Sequence, residues 1–305
     1  MSVIENAIKR LQASRAGAAT APARDKEYGA APASSGAAAR RREATTQPDA
    51  VAPGRILVIN QDALRSAGLL PPLHQERELA QQFRQIKRPL INNALGRGAA
   101  AVPQGNLIMV ASAVPGEGKT FTSLNLALSM RLEEDLNVLL VDGDVVNPRM
   151  TRILGLENEP GLLDVIKDSS VSLSSTVLAT DVPGLSFLPA GRPDVNATEL
   201  LSSARMREVV DQLGGHDSTR VVLFDSAPLV LTTESQALAQ LAGQVVVVVR
   251  ADQTPQDVVL QALQTLDEGK SVSVVLNQSM KQPQYGYYYQ YGSTGAGPRE
   301  TVGSA

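Results

Sequence analysis

The chain has 305 residues, 43% of them hydrophobic and 19% charged, with a net charge of −3 and no cysteine. That length holds one large domain or two small ones, in a composition ordinary for a globular protein. The charge balance argues against nucleic acid or another bulk polyanion as partner, and the lack of cysteine excludes disulfides and thiolate chemistry.

No apolar run reaches the roughly 18 to 20 residues of a membrane helix. The longest, VVVVV at 245–249, is strand-sized. Glu5 and Lys9 stand where a signal peptide would be apolar. The expectation is a soluble, cytoplasmic chain whose membrane contact comes through a partner or a surface helix.

In chain order, residues 1–12 have the pattern of a short amphipathic helix. Ser2 and Glu5 fit a capping box, and Ile4, Ile8 and Leu11 share one face. A frayed terminus and a docking helix for a partner are both open readings. Residues 13–54 are rich in Ala, Gly, Pro, Ser and Arg without apolar periodicity, which predicts a disordered linker. The triplet Arg40, Arg41 and Arg42 within it could touch an acidic lipid or a phosphate, or simply be solvated. Order is expected to resume at ILVIN, residues 56–60. A helix follows over 74–95, with Leu79, Phe83, Ile86 and Leu90 as its apolar stripe and Arg84, Lys87 and Arg88 alongside. Pro89 should kink or divide it.

From residue 106 onward, short β-branched runs alternate with helical stretches. The runs are NLIMVAS, NVLLVDGD, RVVLFDSAP, QVVVVVR and VSVVLNQ; the helices fall near 118–132, 199–213, 234–242 and 255–268. Continuous apolar strands of this kind belong to a mainly parallel sheet with helices on both faces, an α/β fold. After Gln282 the composition turns to Gly, Ser, Tyr and Pro, which predicts a disordered tail. Five of the six tyrosines of the chain lie there: Tyr285, Tyr287, Tyr288, Tyr289 and Tyr291.

The strand NLIMVAS leads into AVPGEGKT, residues 113–120, and then into the helical TFTSLNLALSM. That order is the one a P-loop needs. Gly116 and Gly118 let backbone N–H groups approach phosphates, the helix N-terminus adds partial positive charge, Lys119 can reach the β- and γ-phosphates, and the Thr120 hydroxyl can ligate magnesium. The strict pattern starts with Gly where this chain has Ala113. Asp142 and Asp144 close one predicted strand and Asp225 another. Carboxylates at the carboxyl ends of parallel strands face the ligand crevice, where Mg²⁺ needs oxygen ligands. One of the three could instead cap its following helix. His74 and His216 lie outside these motifs and read as surface residues.

With these motifs, the chain resembles the bacterial tyrosine kinases, and within them the tyrosine autokinases of exopolysaccharide loci. The stretches that carry the resemblance are FRQIKRPLI, ASAVPGEGKTFTSLNLA, VLLVDGDVVNPR, LPAGRPDVNATELLSS, VVLFDSAPL and VVLNQ, with the opening helix and the tyrosine tail. The resemblance implies a P-loop NTPase fold that binds ATP and Mg²⁺. Pro115, Gly116, Glu117, Gly118, Lys119, Thr120 and Phe121 would surround the nucleotide, with Arg250 and Asn277 at its base edge. Lys119, Asp142, Asp144 and Asp225 would be the catalytic set, Asp142 as base for the tyrosine hydroxyl. Thr120, Asp144 and Asp225 would serve the metal.

By the same resemblance the tail tyrosines would be autophosphorylation sites. The organisation would be a region at 55–102 for oligomerisation, a kinase domain at 103–282 and a substrate tail at 283–305. Partners would be other copies of the chain and the cytoplasmic tail of a Wzz-like polysaccharide chain-length membrane protein, which would place the chain at the inner membrane. The family's ring-assembly helix motif, a Glu and two Arg at three-residue spacing, has its nearest equivalent in Gln81, Arg84 and Lys87. Two rival functions remain: a ParA/MinD-like positioning ATPase, and a non-catalytic ATP-binding scaffold of a polysaccharide export complex. The first normally has a second lysine where this chain has Val114.

Overall fold

The computed structural model describes residues 56–98, 100–215 and 219–279. The N-terminal helix, the linker, His216 and the tyrosine tail expected from the sequence lie outside them.

Seven strands form one sheet: β1 (Leu107–Ser112), β2 (Asn137–Asp142), β3 (Leu178–Ala179), β4 (Leu185–Leu188), β5 (Arg220–Asp225), β6 (Gln244–Arg250) and β7 (Ser271–Asn277). Their order is β3-β4-β2-β5-β1-β6-β7. All pairings are parallel except β3 with β4. The central strands β1, β2, β5 and β6 are mostly apolar because both of their faces are covered, whereas the edge strand β7 is only partly buried. Leu107, Met109, Leu139, Val141, Val222 and Phe224 point into one core layer, while Ile108, Val110, Val138, Leu140, Val221 and Leu223 point into the other. Successive side chains of a strand alternate between faces, so each strand feeds both layers.

The second layer is closed by α1 (Gln61–Ser66), α2 (Glu76–Ala94), α3 (Lys119–Met130) and α4 (Arg149–Ile153). The first is closed by α5 (Leu162–Lys167), α6 (Leu173–Thr176), α7 (Ala197–Leu201), α8 (Ala204–Gly214), α9 (Thr233–Leu241) and α10 (Gln256–Gln264).

Several expectations are refined. The described chain starts at ILVIN, where Leu57 makes a single bridge to Thr180 and Ile59 N–H donates to the Asp181 carboxylate at 2.9 Å. The helix expected over 199–213 is two helices, because the Ser203 hydroxyl caps α8 by accepting from the Met206 N–H at 3.1 Å. Helix α2 runs through Pro89 without division. Pro89 and Gln85, whose carbonyl loses its partner, both face solvent, so water can satisfy the orphaned group.

Helix α2 belongs to the same core as the sheet. Phe83 and Leu90 are buried in it, and the Phe83 ring lies 6.3 Å from that of Phe121 on α3. Polar ties reinforce the packing. The Gln244 amide donates to Leu90 O at 3.0 Å, and the Asn93 amide donates to Gln244 Oε1 at 2.9 Å. Lys87, at 3% exposure, donates to Ser129 O at 2.6 Å and pairs with Glu133 at 2.7 Å.

Candidate nucleotide site

The register sets the site before any side chain is considered. Asp142 of β2 pairs with Asp225 of β5, and Val110 of β1 pairs with Asp225 on its other side. The ends of three neighbouring strands therefore converge below the loop from Ala113 to Gly118. Helix α3 starts at Lys119, and its first-turn N–H groups face that crevice.

The loop has the geometry its glycines require. Gly116 and Gly118 have φ of 84° and 93°, the left-handed region where side chains are strained. A Cβ on Gly118 would stand 2.1 Å from the Asn277 amide nitrogen. Ala113 is fully buried and is not among the residues with positive φ, so its methyl group is accommodated where the strict pattern has Gly. Gly143, between Asp142 and Asp144, is enforced: a Cβ there would meet Asp225 O at 2.8 Å.

The Glu117 side chain is taken up within the protein, which leaves its backbone N–H for a phosphate. At 1% exposure it accepts from Val114 N–H at 2.8 Å, Arg250 N–H at 3.1 Å and the Thr254 hydroxyl at 2.6 Å. Its carbonyl accepts from the Asn277 amide at 2.8 Å. One buried residue thus ties the loop to the ends of β6, through its carboxylate, and β7, through its carbonyl, and brings Arg250 and Asn277 to it. The Arg250 Nε is buried without a hydrogen-bond partner. Pro115 is exposed at the loop tip, whereas the Phe121 ring turns toward Phe83. Any contribution of Phe121 to phosphate binding is therefore through its backbone N–H.

Beneath the loop, Lys119 Nζ lies 3.1 Å from Asp144 Oδ2. Asp225 accepts from the Ser123 hydroxyl at 3.0 Å. Burial pushes Asp225 up to about 6, against the lowering influence of Lys119 and the Thr120 and Ser123 hydroxyls. Asp142 is fully buried, and its carboxyl is pushed up to about 7 by burial first and by Asp225 second. Its Oδ2 accepts from Thr151 N–H and the Thr151 hydroxyl, both at 2.8 Å, while its Oδ1 has no partner.

Three carboxylates around one ammonium leave uncompensated negative charge, the setting that favours a hard cation with oxygen ligands. Among the described residues no group of three or more His, Asp or Glu forms a ready-made metal cage. Mg²⁺ at phosphate sites is ordinarily held by one or two protein oxygens together with the phosphates and water, so Thr120, Asp144 and Asp225 fit it without a cage.

The helpers Thr151, Ser123 and Thr254 were not singled out from sequence. Ser123 was within reach of sequence reasoning, since it lies one helical turn after Lys119. Thr151 and Thr254 reach their carboxylates through the fold, and no local pattern marks them.

No protein-family model matches the chain. The tyrosine-protein kinase YwqD of Bacillus subtilis is 30% identical over 214 residues, covering 68% of this chain and 86% of that protein. This chain belongs to the bacterial tyrosine-protein kinase family. The tyrosine-protein kinase ptk of Acinetobacter johnsonii is also 30% identical, over 51% of this chain but only 21% of its own length. The chain thus corresponds to most of one relative and to about a fifth of the other. Among solved structures, the chimerical protein CapA2B2 superposes with a TM-score of 0.58 at 25% identity, covering 74% of this chain and 95% of that one. The α/β P-loop architecture read from the sequence is that of the family. None of the described helices is long and apolar enough to cross a membrane.

Proposed function

We propose that the chain is an ATP-dependent tyrosine autokinase that phosphorylates Tyr285, Tyr287, Tyr288, Tyr289 and Tyr291 of its own C-terminal segment, between subunits. The observation that carries this reading is the Asp142 Oδ1: a buried carboxylate oxygen without a partner, beside Asp225 and Asp144 and below a phosphate-binding loop. A tyrosine hydroxyl, with an ordinary pKa of about 10, needs such an acceptor. As the phenol oxygen forms its bond to the γ-phosphorus, the bond from that phosphorus to the β–γ bridging oxygen breaks. ADP departs with the electron pair, and the phenol proton passes to Asp142. Lys119 leaves Asp144 to meet the transferring phosphoryl group, and the loop N–H groups hold the phosphates in line. Thr120, Asp144 and Asp225 would hold magnesium, which would supply neutralisation of the phosphate charge.

Five tyrosines in one segment raise the local concentration of acceptor. In the cell the activity would serve control of exopolysaccharide assembly or export, together with a Wzz-like membrane protein that recruits the chain to the inner membrane. Family membership and the placement of Val114 disfavour the positioning-ATPase reading. The intact Lys119 and aspartates disfavour a mere scaffold.

The test is phosphopeptide mass spectrometry of the purified chain after incubation with Mg-ATP. Phosphate on the tail tyrosines should fall at least 100-fold in Lys119→Met. A tail that stays unmodified with and without the cytoplasmic part of a membrane partner, while ATP is hydrolysed, sinks the kinase reading.

A further inference from the structure

Helix α2 carries a charged face that the nucleotide site does not use. Residues 77, 81, 84 and 88 fall within about 60° of one another at 100° per residue, so Arg77, Gln81, Arg84 and Arg88 form one stripe. They line a groove of about 570 Å³, completed by Arg97 and by Glu133. All four arginines are exposed, and none forms an ion pair among the described residues. Lys87, also in the groove, is different: its ammonium is taken up by Ser129 O and Glu133. The groove therefore presents four unpaired guanidinium groups, the side chain best shaped for bidentate contact with phosphate.

We propose that this groove binds phosphotyrosine, and that its occupant is the phosphorylated C-terminal segment of this chain. The inference rests on the tyrosine autokinase reading for its source of phosphate. Charge makes the docking conditional. Residues 280–305 carry Lys281 and Arg299 against Glu300, so the unmodified segment is repelled by the arginines. Each phosphate adds about −1.5 to −2 charges and three acceptor oxygens, which reverses the sign.

Lengths agree as well. The stripe from Arg77 to Arg88 is about 16 Å long at 1.5 Å per residue. Tyr285 to Tyr291 spans about 20 Å when extended, and Tyr285, Tyr287, Tyr289 and Tyr291 then share one face. The segment also reaches. The described chain ends beside the phosphate loop, where the Asn277 and Gln278 amides donate to Glu117 O and Gly116 O. Lys87 marks the groove at the far end of α3, about 18 Å away along that helix. From Ser279, six residues to Tyr285 cover up to about 20 Å and twelve to Tyr291 about 40 Å. A phosphorylated tail can therefore lie on its own subunit, withdrawn from the acidic crevice where it was made.

The experiment uses the full chain with Lys119→Met, so that its own tail carries no phosphate. A fluorescent synthetic peptide of residues 283–292, phosphorylated at Tyr285, Tyr287 and Tyr289, is titrated at physiological salt. Binding should be at least tenfold tighter than for the unphosphorylated peptide. It should drop at least tenfold in Arg84→Glu/Arg88→Glu and stay unchanged in Arg207→Glu, an exposed cation on α8. Arg84→Lys/Arg88→Lys, which retains charge without the fork, should fall between. Equal affinity for both peptides, or equal loss in Arg207→Glu, overturns the proposal. So does a glutamate variant that loses self-association or binding to anionic lipid vesicles while keeping the phosphopeptide. Because the peptide is synthetic, failure here strikes the docking alone, whereas failure to phosphorylate strikes the kinase reading alone.

Discussion

At the carboxyl ends of β1, β2 and β5 the charge is buried. Asp142, Asp144 and Asp225 are exposed by 0, 5 and 1%, and hydroxyls, N–H groups and Lys119 hold their oxygens, apart from the unpartnered Asp142 Oδ1. On the outer face of α2 the charge is exposed: Arg77, Arg84 and Arg88 stand in water without carboxylates. The first arrangement is costly to fold and fixed in geometry, because buried charge must be satisfied where it lies. The second costs the fold little and can be altered freely, as expected of a surface whose partner arrives from outside. The two regions should therefore respond oppositely to substitution: geometry governs the stability of the crevice, whereas the face matters to binding and not to the fold.

The largest effect is expected from the crevice loop. Gly118→Ala places a methyl group 2.1 Å from the Asn277 amide nitrogen and forces a side chain to φ 93°. The strain is about 1–3 kcal/mol, and the Asn277 contact to Glu117 O is broken as well. Nucleotide affinity by calorimetry should fall at least tenfold. A variant that binds as the parent does would show the loop to be soft and remove the contrast.

This prediction also shows where sequence reading succeeded and where it stopped. Gly118, Lys119 and Thr120 announce themselves because a phosphate loop is local: its strand, turn and helix are consecutive. The five long strands were legible because double-sided burial writes continuous apolar runs. β3 and β4, of two and four residues, leave runs too short to distinguish from loop. Glu117 was found as a loop residue, but its structural role was not. Its work as the tie to Val114, Arg250 and Thr254 depends on partners more than 130 residues away in two of three cases. Lys87 was read together with Arg84 and Arg88, alongside the apolar stripe. Only the packing of α2 on α3 shows it buried.

That difference within one helix gives the next prediction. Lys87→Ala leaves Ser129 O and Glu133 without their partner and removes a buried stem. The loss should be about 2–3 kcal/mol in chemical denaturation, for an orphaned acceptor plus lost packing. A loss below about 0.5 kcal/mol would place Lys87 with the exposed arginines.

The buried acids give a pH-dependent effect of opposite sign. Asp142 has a folded pKa near 7 against an ordinary 3.8, so between those values the folded state holds more protons than the unfolded. Its contribution to stability is fully present below the unfolded value and is lost as pH rises toward 7. Asp142→Asn should therefore raise the melting temperature of the chain in chelator at pH 8 by about 2–4 °C, on the order of 1 kcal/mol. The gain should vanish near pH 4. A gain independent of pH would mean that the cost of ionising the buried Asp142 carboxyl is not its source.

The smallest effect belongs to the face of α2. Arg84 donates only to Ala80 O of its own helix, at 3.2 Å, and its guanidinium lies in solvent. Arg84→Ala should change unfolding free energy by less than about 0.5 kcal/mol at any salt concentration, as for other surface positions without buried partners. Alanine also favours the helix slightly, which offsets the lost hydrogen bond. The same substitution should weaken phosphopeptide binding, and the loss should shrink as salt rises, because the contact is with a screened, exposed charge. A surface kept for binding is recognised by that separation: stability blind to the residue, affinity dependent on it. If Arg84→Ala instead costs stability on the scale of Lys87→Ala, then the stripe is part of the fold, and the arginines are exposed for a structural reason.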